Sequence, residues 1–388
     1  MSLDSPLHLA AHPQPLDSVT VYSSPMVIPV TGPVVLDGAV AVAGSRVVHV
    51  GTRRWVFNEL KHDMATNGRV VEHHWNGIIT PGLINAHTHL QYTDMAEVGR
   101  GTYDRFRAWE IGFNTVYAKL QETRPWKESA YRGARMMVQS GTTAAADIVT
   151  DPEAVGALAS QGMHGIAYWE VMGWHNGDWK SEGIPELIDN LGHMHQEGLP
   201  SIGISPHAPY TLESGPFVDL PDIARQLDMR LHIHLAETPM EAGERDTTLT
   251  TYSAADWRDG QWASYKQLRA AGKGASAIQF VDQLGSLGPD VHIAHGVWAN
   301  GEDRRILRQR GVGVALCPRS NRITNTGKDA PVREYLEEGN LVSVGTDSLS
   351  STPTLDLLDD VSMLYDLARE QGYASDDLTH RLIRMMTL

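Results

Sequence analysis

Cysteine is nearly absent from this chain: Cys317 is the one thiol among 388 residues, so no intramolecular disulfide can form and no oxidising compartment is implied. Basic side chains are also scarce, 32 against 47 acidic ones, for a formal net charge of −15. A nucleic-acid polymer needs a basic face against its phosphates, so that class of partner is excluded while a small nucleoside is not. No apolar run approaches the ~20 residues that a membrane span requires. The opening segment, MSLDSPLHLAAHPQPLDS, lacks a basic stretch followed by an apolar one and does not read as a secretory signal. These absences lead to the expectation of a soluble, cytoplasmic protein.

Hydrophobic residues make up 41% of the chain and charged ones 20%, enough for a large core. From Val19 to about Asn76 the pattern is short and β-rich, with tight turns expected at Asp37-Gly38 and Ala43-Gly44. Residues 1–76 therefore read as a small β-sandwich module. Beyond it, eight apolar segments recur, at 82–90, 141–149, 165–173, 201–210, 231–237, 291–298, 311–321 and 341–348. Near-continuous apolar runs suit strands buried on both faces of a parallel sheet. Helices are expected between them, for instance over 128–140 and 221–229. Eightfold strand–helix alternation predicts a (β/α)8 TIM-type barrel over 77–388, a size one barrel domain can absorb. The stretch from Thr238 to Asp290 exceeds what one helix needs, and reads either as a lid over the mouth or as an oligomer contact.

Eighteen histidines are present, and their placement matters more than their number. His87 and His89 end the first segment two residues apart, a spacing that puts both imidazoles on one face of a strand. His207 ends the fourth segment, His234 and Glu237 the fifth, His295 the sixth and Asp347 the eighth. Each alone has a plain alternative: a histidine can be a satisfied core residue, and Asp347 can cap a helix. Barrel active sites, however, are built at C-terminal strand ends, where all of these fall. Three imidazoles and a carboxylate around an open position is an arrangement for catalytic Zn2+ or Fe2+.

PGLINAHTHL, SPHAPYTL, HIHLAET, AHG, CPRSN and GTDSLSS, in that order, resemble the amidohydrolase superfamily. More narrowly they resemble its aminohydrolase branch, with the cytosine, guanine and S-adenosylhomocysteine deaminases and the triazine chlorohydrolases. The resemblance spans roughly residues 35–388. It implies metal ligands at His87, His89, His234 and Asp347, with Glu237 as the proton-transferring acid. It places His295 beside the reacting water and His207 at the substrate. Binuclear members carry a lysine on the fourth strand; SIGISPHAPY has none, so one divalent ion is expected, Zn2+ before Fe2+. Members also continue past the last barrel helix into strands that complete the β module. Because this chain stops at MMTL, the C-terminal part of that module is expected to be missing.

Hydrolysis at an amine-bearing ring carbon needs hydroxide at neutral pH, a proton for the ring nitrogen and a proton for departing ammonia. A bound divalent ion lowers the pKa of water from 15.7 toward ~7. Glu237 would protonate the ring nitrogen, and Asp347 would carry the water's proton to the amine. His295 would stabilise developing charge. Glu170, ending the third segment, would contact substrate or brace a neighbour, and Trp109 in DRFRAWE offers a flat apolar face. Trp257 and Trp262 add further rings in the long insertion. Cys317 reads as a small buried hydrophobe. Asn321 would hold neighbouring loops or position Asp347.

The expected reaction is deamination of a small heterocyclic substrate, a 6-aminopurine carried on a larger group. HTHLQYT, DRFRAWE and YWEVMG resemble enzymes acting on 6-aminodeoxyfutalosine, which ranks first, with S-adenosylhomocysteine and methylthioadenosine behind it. The alternatives are a triazine-type chlorohydrolase, against which Glu237 counts, and a guanine- or cytosine-type deaminase. A cyclic amidohydrolase is disfavoured by the absent lysine, and an inactive scaffold by the filled ligand set. A homodimer is left open.

Overall fold

The computed structural model describes residues 16–194, 201–243 and 274–388, which fall into two compact units divided after Gly82. In the smaller unit, β1 (Leu16–Val27) pairs antiparallel with β2 (Val35–Ala43), which pairs antiparallel with β3 (Arg46–Thr52). Helix α1 (Arg53–Asp63) then returns the chain so that β4 (Met64–His74) runs parallel to β1, as does the short β5 (Ile78–Ile79). Val19, Val21, Ala39, Ala41 and Val48 from one face of the sheet bury against Val56 and Leu60 of α1. The second layer of this β-rich unit is thus a helix.

Two local expectations need correction here. Residues 53–63 are helical although they lie within a β-rich stretch. Val56 and Leu60, one helical turn apart, face the sheet, and Thr52 caps the first turn by accepting the Trp55 N–H at 3.3 Å. Asp37-Gly38 is not a turn but lies inside β2. The register sets left-handed Asp37 (φ 46°) opposite Pro25, which has no N–H to give to the ladder. The turn expected at Ala43-Gly44 is present, with Gly44 at φ 59°.

The larger unit holds eight parallel strands, one for each apolar segment: β6 (Leu83–Thr88), β7 (Thr142–Val149), β8 (His164–Val171), β9 (Ser201–Pro206), β10 (Leu231–Leu235), β11 (Val291–His295), β12 (Gly313–Leu316) and β13 (Leu341–Val344). They pair in sequence order from β6 to β13. The ends of this nearly closed barrel are joined by the Asn85 side chain and one backbone bond instead of a ladder. The Asn85 amide donates to Thr346 Oγ1 at 2.7 Å and accepts the Thr346 N–H at 3.1 Å. One residue on, the Asp347 N–H donates to the His87 carbonyl at 2.9 Å. The seam therefore fixes Asp347 beside the histidines of β6.

Helices α2 (Phe106–Gln121) and α3 (Trp126–Gln139) follow β6, the second close to the 128–140 expected. The helix expected from Pro221 starts earlier, spanning Ser214–Gln226 with Pro221 inside it. Proline has no N–H for the carbonyl four residues back, Phe217 O, and Ser286 Oγ donates to that oxygen instead at 2.6 Å. Among the described residues no helix is long and apolar enough to cross a membrane. Trp257 and Trp262, with most of the insertion after Glu237, lie outside the described residues.

Candidate functional site

In LHIHL of β10, alternation sends Leu231, Ile233 and Leu235 to one face and His232 and His234 to the other, toward His87 of β6. All five residues are buried. His89 stacks on His234 with ring centroids 5.2 Å apart, and their Nε2 atoms stand 3.1 Å from each other. Asp347 Oδ1 lies 3.6 Å from His87 Nε2 and 3.7 Å from His89 Nε2. Four ligand atoms of a tetrahedral zinc with ~2.0 Å bonds would be spaced by ~3.3 Å, so this spacing matches.

The tautomers also fit a cation. The His234 ring donates from Nδ1 to the His207 carbonyl at 3.2 Å, which leaves Nε2 as a bare lone pair. His87 Nε2 is buried without any hydrogen-bond partner. Bare imidazole nitrogens crowded against a carboxylate suit a shared positive ion, and His87, His89 and His234 form one group able to hold it. His87, His295 and Asp347 form a second such group, and Glu170, His207 and His234 a third. The first two groups share His87, and the first and third share His234, whose Nδ1 lies 3.8 Å from Glu170 Oε1. Burial holds these imidazoles neutral, as ligands must be: His87 is driven well below the ordinary histidine range, His89 to about 4 and His207 to about 3.

Around this centre each reactive group is held from behind. Asp347 Oδ2 accepts from Ser320 Oγ at 2.7 Å and Ser351 Oγ at 2.8 Å, which turns Oδ1 toward the histidines. His295 Nδ1 donates to Asn321 Oδ1 at 3.0 Å, and its Nε2 faces Glu237 Oε1 at 3.5 Å. Asn321 thus holds His295, while Ser320 beside it holds Asp347. The Glu237 carboxyl takes the Tyr210 hydroxyl at 3.0 Å on its other oxygen. Burial raises the pKa of Glu237, opposed by nearby His295, and so favours the protonated form.

The backbone under Glu237 is itself clamped. Glu241 accepts the N–H groups of Ala236, Glu237 and Thr238, each at 2.9 Å. Three positions at this rim, Ala236 (φ 55°), His295 (φ 75°) and Asp347 (φ 60°), adopt left-handed backbone that costs side-chain-bearing residues roughly 1–2 kcal/mol each. Such strain persists only where surrounding bonds over-determine it, and here the Glu241 clamp and the β6–β13 seam do so. The Thr238-x-x-Glu241 spacing is a capping-box signal that could have pointed to Glu241. Tyr210, Ser320 and Ser351 carry no comparable sequence signal.

A cavity of about 390 Å3 opens from the cluster. His207 lines it with Nε2, since its Nδ1 donates to Thr211 Oγ1 at 2.8 Å while that hydroxyl donates to the Ala208 carbonyl at 3.2 Å. Glu170 also faces the cavity, 3.9 Å from His207 Nε2, with its carboxyl pushed up to about 8 by burial. Trp109, Phe113 and Tyr117 from α2 line the cavity with aromatic rings, as do Trp169 and Trp174. Trp109 is fixed by donation from Nε1 to the Ser350 carbonyl at 2.8 Å. Cys317 is fully buried, and that burial raises its thiol well above the ordinary range, so it supplies no nucleophile. Its sulfur instead packs where Gly345 has no side chain; a Cβ there would meet Cys317 Sγ at 2.9 Å and His87 Cβ at 2.8 Å.

A 5-methylthioadenosine/S-adenosylhomocysteine deaminase of Moorella thermoacetica is 28% identical over 372 residues, covering 93% of this chain and 77% of that protein. An adenosine deaminase from Xanthomonas campestris with bound zinc superposes with a TM-score of 0.70 at 21% identity, over 95% of this chain and 78% of that one. Helicobacter pylori aminofutalosine deaminase in complex with methylthio-coformycin gives a TM-score of 0.70 at 18% identity, over 94% and 84%. At these identities the two structures speak to fold alone. The amidohydrolase family model matches residues 78–388, the whole stretch that carries the barrel, and the chain belongs to that family.

Proposed function

We propose that this protein is a metal-dependent hydrolase that deaminates an adenine nucleoside, releasing ammonia. The observation that carries the reading is Glu237, a buried carboxyl set between the Tyr210 hydroxyl and His295 on the cavity side of the histidine–aspartate cluster. The sequence likeness to a deaminase of adenosine derivatives supports the same class.

His87, His89, His234 and Asp347 would hold one divalent ion, zinc before ferrous iron. Such an ion makes hydroxide available at neutral pH by lowering the pKa of water toward ~7. Glu237, whose protonated form burial favours, donates to the ring nitrogen next to the amine-bearing carbon as that carbon becomes tetrahedral. Asp347 accepts one proton of the attacking water and returns it to the departing amine, and the oxygen's second proton goes back to Glu237 as the ring carbonyl forms. His295, fixed by Asn321, faces the developing charge. His207 and Glu170 border the ring, and the aromatic wall takes the group beyond the sugar.

That wall favours a nucleoside with an extended substituent. 6-Aminodeoxyfutalosine therefore ranks first, with S-adenosylhomocysteine and methylthioadenosine behind it. The test is ammonia release from these three beside guanine, cytosine and a chlorotriazine. Turnover of an adenine nucleoside, with the absorption moving to shorter wavelength, is expected. Turnover confined to guanine, cytosine or the triazine would overturn the adenine reading.

A further inference from the structure

One layer below the cluster, a histidine outside the ligand set touches it. His232 Nε2 lies 2.7 Å from His87 Nδ1, and both residues are fully buried. His232 Nδ1 has no hydrogen-bond partner. The ring is wedged between Tyr168, at 5.3 Å between centroids, and His292, at 5.2 Å. His292 is tied separately, through Nε2 to Ser343 Oγ at 3.1 Å.

Two ring nitrogens 2.7 Å apart can share only one proton. If His232 Nε2 carried it, His87 would accept at Nδ1 and hold its own proton at Nε2, the atom that faces Asp347, His89 and His234. A protonated nitrogen has no lone pair for a metal. If His87 Nδ1 carries it, Nε2 is bare and His232 accepts. The second arrangement is then forced whenever His87 ligates, and it leaves the His232 proton on the orphaned Nδ1. Ligating histidines usually donate to a carboxylate, a carbonyl or water. A neutral imidazole in that position is a weaker orienting partner than a carboxylate, and it adds no negative charge beneath the ion.

We propose that His232 is a positioning residue for the metal: by accepting from His87 Nδ1 it fixes the tautomer and ring orientation that present His87 Nε2 to the ion. This rests on the reading of His87 as a ligand. Its sequence signal is the first histidine of LHIHL, two residues before a ligand and therefore on the same strand face.

The test measures zinc affinity by chelator competition in the wild-type protein, His232→Gln and His232→Leu. A glutamine oxygen can take the place of Nε2 as acceptor, whereas leucine cannot. His232→Leu is expected to bind zinc 10–100-fold more weakly, the usual loss for such partners, with His232→Gln within a few-fold of wild type. Equal affinity for His232→Leu and wild type, or an equal loss in both variants, would overturn the proposal. Should His232→Leu fail to fold, 15N spectra of the zinc-loaded wild-type protein decide it: His232 protonated at Nδ1, with a coupling across the hydrogen bond from His87 Nδ1 to His232 Nε2, supports the proposal, and His232 protonated at Nε2 refutes it. A wild-type protein that takes up no zinc would instead fail the metal-site reading itself.

Discussion

The floor of the cavity is made of imidazoles and carboxylates at strand ends, most of them pinned from behind by a second polar residue. Its outer wall along α2 is made of rings that pin one another: Trp109 on Phe113 at 5.5 Å, Phe113 on Tyr117 at 5.9 Å, and Tyr117 on Trp126 at 5.2 Å. The floor sits on eight strands that cannot move independently, whereas the wall sits on a helix inserted after β6. This is the division of labour expected of a barrel, with chemistry at strand ends and selectivity in the segments that follow them. Substitutions in the two regions should therefore differ in kind: kcat should fall for the floor and KM should rise for the wall.

The strongest separation is expected from Glu237→Gln. Loss of one proton-transfer group typically lowers kcat 10²–10⁴-fold, here with metal content unchanged by elemental analysis. Metal loss in that variant would make Glu237 a ligand. In the unaltered enzyme kcat should decline as pH rises through the raised pKa of Glu237, because the deprotonated acid cannot donate. Glu241→Gln comes next. Its amide nitrogen must face backbone N–H groups that now find carboxylate oxygens, so a stability loss of about 1–3 kcal/mol is expected in denaturant unfolding, together with a lower kcat.

On the wall, Trp109→Ala should lower kcat/KM about tenfold for a nucleoside with a long substituent, mostly through KM, and far less for adenosine itself. An equal loss for both substrates would move Trp109 from selectivity to general packing. Ser351→Ala should have the mildest effect. Asp347 keeps the Ser320 hydroxyl, so kcat should fall less than tenfold, at a cost of about 1 kcal/mol.

The two regions were not equally readable in the sequence. Strands buried on both faces leave apolar runs, and all eight of those segments hold the barrel strands. The histidines and carboxylates at the ends of those runs come together for the same reason: their position along the chain fixes their position at the mouth. What holds them was not visible. Ser320 and Asn321 are adjacent in the helix Pro318–Ile323, and a helix turns each residue ~100° from the last. One therefore reaches Asp347 and the other His295, a difference no linear pattern displays. Helix α1 escaped notice because only Val56 and Leu60 of RRWVFNELKHD are buried, too few for a clear helical period. On the wall, Trp109 lines the cavity, and Phe113 and Tyr117 follow it at helical i+4 spacing; its bond to the Ser350 carbonyl depends on packing between elements and leaves no linear pattern.

Most directly, the claim that the floor carries metal-dependent deamination is tested by ultraviolet spectra of one adenine nucleoside with the protein stripped by a chelator and then reloaded with one equivalent of zinc. The expected result is no change with stripped protein and, on reloading, a shift to shorter wavelength as hypoxanthine forms and ammonia appears in equal amount. Full turnover by the stripped protein, or none by the reloaded protein on any adenine nucleoside, would contradict it.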